Sequence, residues 1–431
     1  SLYQDYYWTI KANQTIERRF LIRDQVGDAV FDTKNKTATV NIAKGSDLKK
    51  IQLLDLKLGP EGSTINMSSS LPQLTWTNFD NNFATSTVVV NYRDFIVMEE
   101  WKLYVFISNN NVTTLRADAF VEAAYLYGEG IEGAEYGFEY KEVTAETWIQ
   151  VDKASIKTNG NNFSAKISKL KSNTSYVCRA IAGNEKGGEV NFTTGSTVEL
   201  TNGSFDNWHK VGNVWNPWAE NAQSFWDTGN KGSTTMPGAE SNSMPTTNTA
   251  TGSGQAAKLE SKFVGIGTLG KFAAGNMFVG EFKRVDGTNG VLDFGRVFTE
   301  KPTSLSGSYK YTSKPINYFD KDLFSHLSGV PDTCSIFIAL GDWDSPLEIR
   351  TKPSDRKVFD PKDPKIIAYA EFFSGTSTDA YQPFTLNLDY RVTNRTPKYI
   401  IIVCSASRYG DYFTGGAGST LWIDNFVFGW D

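Results

Sequence analysis

Cysteine and histidine are nearly absent from this chain: three of the first and two of the second in 431 residues. His209 and His326 lie far apart, so no multi-histidine metal site can be built. A nucleophilic triad would need one of them beside an activated Ser or Cys, and no Gly-x-Ser-x-Gly elbow occurs. The cysteines Cys178, Cys334 and Cys404 sit inside apolar runs (SYVCRAI, CSIFIAL, YIIIVCSAS) and read as small buried hydrophobes. At most one disulfide is available, with Cys334 and Cys404 the pair to check. Apolar runs fall short of the roughly 18 residues that cross a bilayer as a helix. The formal charge of −5 is mild and no Lys/Arg block stands out, which sets nucleic acid aside as a partner. No charged segment followed by an apolar one opens the chain, so any export signal is expected to have been removed or to lie outside this segment.

What the chain does have is 40% hydrophobic and 13% aromatic content, in short alternating runs separated by Asn, Gly, Asp and Ser. Long helical periodicities are missing, so the expected fold is all-β. The length prior and composition shifts divide it into three domains, 1–110, 111–197 and 198–431. ERRFLIRD, TATVNIA, IQLLDLKLG, TSTVVVNYRD and EEWKLYVFIS supply the strands of a first β-sandwich, and this segment resembles Ig-like or cadherin-like modules. After the polar SNNNVTT come further alternating runs and then Leu170-Lys-Ser-Asn-Thr-Ser-Tyr176-Val-Cys-Arg-Ala180. Leu, a turn and a strand Tyr in that order resemble the tyrosine corner of a fibronectin type III domain. Neither segment clusters functional side chains, and both read as spacers. From TTGSTVELTNGS onward Gly, Trp and Tyr become denser, and this larger third domain is expected to carry the function.

Two phosphate-loop patterns in FVGIGTLGKFAAGN are decoys. Gly265-x-Gly267-x-x-Gly270 is followed by an alternating, glycine-broken run rather than a helix, and Lys271 is followed by Phe272 rather than Ser or Thr. A glycine-rich β connection accounts for both. Carboxylates for a glycosidase would have to face each other across a cleft. Asp227, Glu281, Asp342, Asp344 and Asp411 are the candidates, and no E-x-D-x-x-E strand is present.

A pyranose offers a C–H face that packs on an aromatic ring and a hydroxyl rim that takes carboxylate, amide and guanidinium groups. FWDTGN (Trp226, Asp227, Asn230), GDWD (Asp342, Trp343, Asp344) and RYGDYF (Arg408, Tyr409, Asp411, Tyr412) each set an aromatic beside such groups. They are the predicted ligand-binding residues. Within NWHKVGNVWNPWAENAQSFWD the expectation is a division: Trp208, Trp215 and Trp218 packed, Trp226 turned to a ligand cleft.

The third domain opens on Asn202-Gly-Ser-Phe205-Asp206 and closes on Leu421-Trp-Ile-Asp424-Asn-Phe-Val427. Paired in this way, the ends resemble jelly-roll carbohydrate-binding modules. That resemblance implies adjacent terminal strands and a structural calcium, held by Asp206 and Asp424 with backbone carbonyls. NVWNPW, FWDTGNKGSTT, ATGSGQAAKLESKFVG, DGTNGVLDFGRVFT, IALGDWD and the closing TNRTPKYIIIVCSASRYGDYFTGGAGSTLWIDNF are similar to the putative carbohydrate metabolism domain of gut-bacterial surface proteins. The likeness covers nearly all of 202–431. It implies a jelly-roll exported to the cell surface in glycan utilisation. The expected architecture is therefore two Ig-like or fibronectin-like β-sandwiches followed by a jelly-roll. The expected function is binding of a poly- or oligosaccharide at the cell surface by a monomer, joined to an outer membrane only through a lipid anchor outside this segment. A glycoside hydrolase is the first alternative and an adhesion or structural surface protein the second.

Overall fold

The structure, a computed structural model, describes residues 16–79, 82–92, 97–108, 111–131, 133–236, 238–266 and 269–431. Strand follows strand, and among the described residues the single α-helix is the four-residue Asn230–Ser233. The fold is all-β, as the alternating runs predict. Two compact units are present. The first takes the described parts of Ser1–Ala117 with Tyr125–Ile167 and Ser175–Thr193, and the second takes Asp118–Ala124, Ser168–Thr174 and Thr194–Asp431.

In the first unit a five-stranded sheet runs in the order Gln25–Asp32, Thr37–Ile42, Val97–Ile107, Phe83–Tyr92, Thr64–Ile65, beside the pair Arg19–Ile22 and Leu53–Lys57. Alternation does what it should here: Thr37–Ile42 turns Ala38, Val40 and Ile42 inward, onto a core that includes fully buried Trp101. Further along, Tyr136–Glu142 and Ser175–Ala182 lead a second five-stranded sheet. Tyr176 is buried there, its ring stacked 5.5 Å from that of Phe192. All three cysteines are free and buried, and burial pushes the Cys178 and Cys334 thiols up to about 12.

The second unit is a sandwich. One sheet of five runs Ser243–Thr246, Ala256–Glu260, Thr420–Gly429, Ser304–Thr312, Gln382–Asn387. The other, of nine, runs Leu347–Arg350, Asn289–Phe294, Asn276–Asp286, Tyr399–Ser405, Cys334–Gly341, Ile366–Ser374, Asp389–Tyr390. Trp226–Asp227 is added on Asn276–Asp286, and Arg296–Val297 on Tyr399–Ser405. Leu259, Leu305, Tyr311, Leu421 and Ile423 from the smaller sheet meet Met277, Val279, Ile336, Ile338, Ile402 and Cys404 from the larger in one core. The ends lie side by side as expected: the Phe426 amide donates to the Gly203 carbonyl at 2.7 Å. A Cβ at position 203 would stand 2.3 Å from the Phe426 carbonyl oxygen, which is why the approach needs glycine.

The two central strands of the larger sheet, CSIFIALG and YIIIVCS, have no polar face. Their register pairs Phe337 with Val403 and Ala339 with Ile401 on the side away from the sandwich core. Those outer side chains join Phe278, Phe282, Leu292, Phe294 and Ile349 in a second apolar cluster. A sheet apolar on both faces must be covered on both. Here the Asn276–Asp286/Asn289–Phe294 ribbon supplies part of the cover.

Candidate ligand-binding site

The cover is incomplete, and it leaves a cavity of about 560 Å³ over the outer face of the larger sheet. Its size falls within the range of small-molecule sites. Phe278, Phe337 and Val403 rise from the sheet, Phe282 and Leu292 from the ribbon, and Phe272 from the hairpin Lys262–Ile266/Leu269–Ala273. That hairpin is the glycine-rich stretch expected to be a β connection; Gly267 lies outside the described residues. Segments 229–236 and 285–290 contribute further lining, and the 408–413 loop presents Arg408, Asp411 and Phe413. A Cβ at Gly410 would lie 2.5 Å from that of Ala274, so glycine lets this loop press against the wall.

Polar residues, Ser233, Asn276, Thr288 and Asn289 among them, line part of the cavity, and three lining residues are charged. Arg408 is held by Glu371, Nη2 to Oε1 at 3.0 Å, with its guanidinium 4.0 Å from the Phe373 ring centre. Lys271 donates to Asn289 Oδ1 at 2.7 Å and lies 4.2 Å from the Phe413 ring centre. Burial lowers its pKa, as does the nearby Arg356 guanidinium. Asp411 is half-buried with its carboxyl in dry surroundings. Desolvation pushes it up to about 6, against the pull of Arg356.

Asp411 titrates upward on folding, so stability tied to it is fully present below its ordinary value of 3.8 and is lost as pH rises through about 6. Asp411→Asn is therefore expected to unfold in urea like the parent at pH 4 and to be more stable at pH 8. The shift corresponds to at most roughly 3 kcal/mol, and water at a half-buried carboxylate reduces it to about 1 to 2 kcal/mol. Equal stabilities at pH 8 would contradict the dry placement of this carboxyl.

The other predicted residues fall elsewhere. Trp226 is fully buried, which corrects the expectation that it faces a cleft. Trp226–Asp227 pairs with Asn276–Asp286, Trp226 opposite Val279 and Asp227 opposite Phe278, so alternation drives the ring into the sandwich core. There it meets Phe205 edge-on at 5.5 Å, and its Nε1 donates to the Thr201 carbonyl at 2.7 Å. Trp343 is buried too, against Gly341, with Nε1 donating to Asp363 Oδ2 at 2.9 Å. Trp208 is half-buried on the core, whereas Trp215 lies under the Lys210 ammonium and Trp218 edge-on to His209. Trp208 is thus packed as expected, and the expected division fails at Trp226, which is the deepest of the four.

Asp227 and Asn230 are structural. Asp227 accepts from the amides of Thr228 and Phe282, both at 2.8 Å, and from Lys231 Nζ at 3.0 Å. Asn230 bridges the carbonyls of Trp215 and Ser243 and accepts the Ser243 amide. Asp342 pairs with Arg395 at 3.0 Å. Asp344 is exposed between Lys365 and Lys398, which hold it down at about 2. Glu281 lies near Lys283 at 3.7 Å on the sheet's surface. Tyr409 and Tyr412 flank Arg408 and Asp411, their rings 4.7 and 5.2 Å from Phe324. Of the five carboxylates considered for catalysis, Asp411 alone lines the cavity. Sequence reasoning missed Lys271, set aside with the decoy loop, and the cavity phenylalanines, which are scattered from 272 to 413.

Asp424 is buried and accepts the Ala250 amide at 2.7 Å, and Asp206 accepts the Gln255 amide at 2.6 Å. Both therefore hold the 247–255 loop. Burial raises the Asp424 pKa, and the charge of Asp206 raises it further. Two carboxylates in one another's field suit a cation. Among the described residues no third acid, His or Cys joins them, so backbone carbonyls or water would have to complete any coordination shell.

The sequence profile of the family described as Putative carbohydrate metabolism domain matches residues 204–428, just over half of the chain, and the protein belongs to that family. Among solved structures, a putative glycoside hydrolase from Bacteroides thetaiotaomicron is 17% identical over 98% of this chain and 99% of its own, with a TM-score of 0.37. A second putative glycoside hydrolase, from Bacteroides vulgatus, is 22% identical over 53% and 97%, with a TM-score of 0.42. The surface glycan-binding protein PbSGBP-B of Prevotella bryantii is 10% identical over 96% and 90%, with a TM-score of 0.17. No curated protein matches the chain.

Proposed function

We propose that the protein is an exported, surface-anchored glycan-binding protein, and that its carbohydrate-related domain takes its ligand in the cavity over the larger sheet. The observation that carries this reading is the cavity itself. Within the matched domain it combines aromatic walls with Lys271, Arg408 and Asp411, the mixture of ring faces and charged hydrogen-bonding groups that a sugar needs. Binding rather than hydrolysis is supported by the carboxylates. Hydrolysis calls for two of them about 5 to 9.5 Å apart, and among the described lining residues Asp411 is the only acid. Affinity electrophoresis on a panel of soluble polysaccharides should retard the protein on at least one of them. The Arg408→Ala/Phe413→Ala double variant should run unretarded while melting as a folded protein. Retardation on no polysaccharide, or undiminished retardation of a folded double variant, would overturn the reading.

Asp206 and Asp424 are proposed to hold a structural calcium that pins the 247–255 loop. Bound metal stabilises by mass action, so a chelator is expected to lower the melting temperature of the parent and leave that of Asp424→Ala unmoved. Parent melts that ignore the chelator would remove the site.

A further inference from the structure

The cavity's polar and apolar groups are unevenly placed: the charged groups gather at one side and leave a broad apolar part. Phe278, Phe337 and Val403 on the sheet, with Phe282, Leu292 and Phe294 on the ribbon, make one continuous apolar lining. Each sugar ring carries several hydroxyls, and a hydroxyl buried against apolar side chains without a partner is disfavoured. The charged groups instead come from the 408–413 loop and from Lys271. Lys271 has one N–H engaged by Asn289 and, among the described residues, no carboxylate paired with it. That leaves a half-buried donor suited to a neutral or partly negative oxygen.

We propose, on the basis that this cavity is the carbohydrate site, that it recognises a sugar carrying an apolar substituent, an aryl or acyl group. The substituent occupies the phenylalanine-lined part of the cavity, between Phe337 and Phe282. The sugar stays at the 408–413 loop, where Arg408 and Asp411 meet its hydroxyls. Lys271 faces the linking oxygen or ester carbonyl. Phe337 is half-buried and stacks on Phe359 at 4.8 Å, so an aromatic guest would extend a stack already present.

The test is calorimetric titration of the full chain with matched probes over a panel of sugars: the methyl glycoside, the 4-nitrophenyl glycoside, and 4-nitrophenol alone. For at least one sugar the 4-nitrophenyl glycoside is expected to bind at least tenfold more tightly than its methyl counterpart. Phe337→Ala should remove most of that preference. Phe359→Ala, which leaves the sheet intact, serves as the second variant if Phe337→Ala melts too low. Equal binding of methyl and 4-nitrophenyl glycosides overturns the inference and leaves the glycan site standing. So does a preference that survives in both folded variants. Binding of 4-nitrophenol as tight as that of the glycoside would instead overturn the carbohydrate assignment of the cavity.

Discussion

Replacement of Trp226 by alanine is expected to cost about 3 to 5 kcal/mol, the range for truncating a fully buried aromatic. The ring is enclosed by Phe205, Phe225 and Phe426, and its removal also strands the Thr201 carbonyl that its Nε1 now satisfies. For a unit of this size the loss should lower the melting temperature by on the order of 10 °C. Trp215→Ala is the control from the same stretch. Its half-buried ring meets the Lys210 ammonium rather than the core, and about 1 kcal/mol is expected. Thermal melts of both variants check the contrast. Similar losses from the two would mean that Trp226 is not the anchor of this corner.

Asp227→Ala should be nearly as damaging, at about 2 to 4 kcal/mol, because its buried carboxylate accepts from the amides of Thr228 and Phe282. One of them belongs to Phe282, whose ring lines the cavity, so ligand affinity should fall along with stability. Lys231→Ala removes only the more exposed partner of the ion pair and should cost less than about 1 kcal/mol. Urea denaturation of the two variants separates these contributions. Equal costs would place the importance in the ion pair rather than in the amide bonds.

These two neighbours show how far the sequence could be read. An aromatic beside an acid in FWDTGN has the chemistry of sugar recognition, but strand alternation sends the two side chains to opposite faces. The ring enters the core and the carboxylate ties down the ribbon. A two-residue strand carries no periodicity that could have announced this. In RYGDYF the same chemistry lies on a loop, free of alternation, and Arg408 and Asp411 do reach the cavity. The all-β class was legible in runs such as TATVNI because their faces differ in polarity. CSIFIALG and YIIIVCS carried a further signal in having no polar face, and they are the strands that floor the site. Which side chains would complete the site was not legible. Phe272, Phe337 and Phe413 come from a hairpin, a central strand and a loop far apart in sequence, and Lys271 reaches the site from the same glycine-rich hairpin as Phe272.

Carbohydrate is proposed to bind over the outer face of the larger sheet and not on the tryptophan-rich stretch. A crystal structure with an oligosaccharide from a retarding polysaccharide tests it directly. Sugar density is expected in contact with Arg408, Asp411 and Phe413. Density over Trp215 and Trp218, or beside Asp342 and Asp344, with the cavity left to solvent, would contradict it.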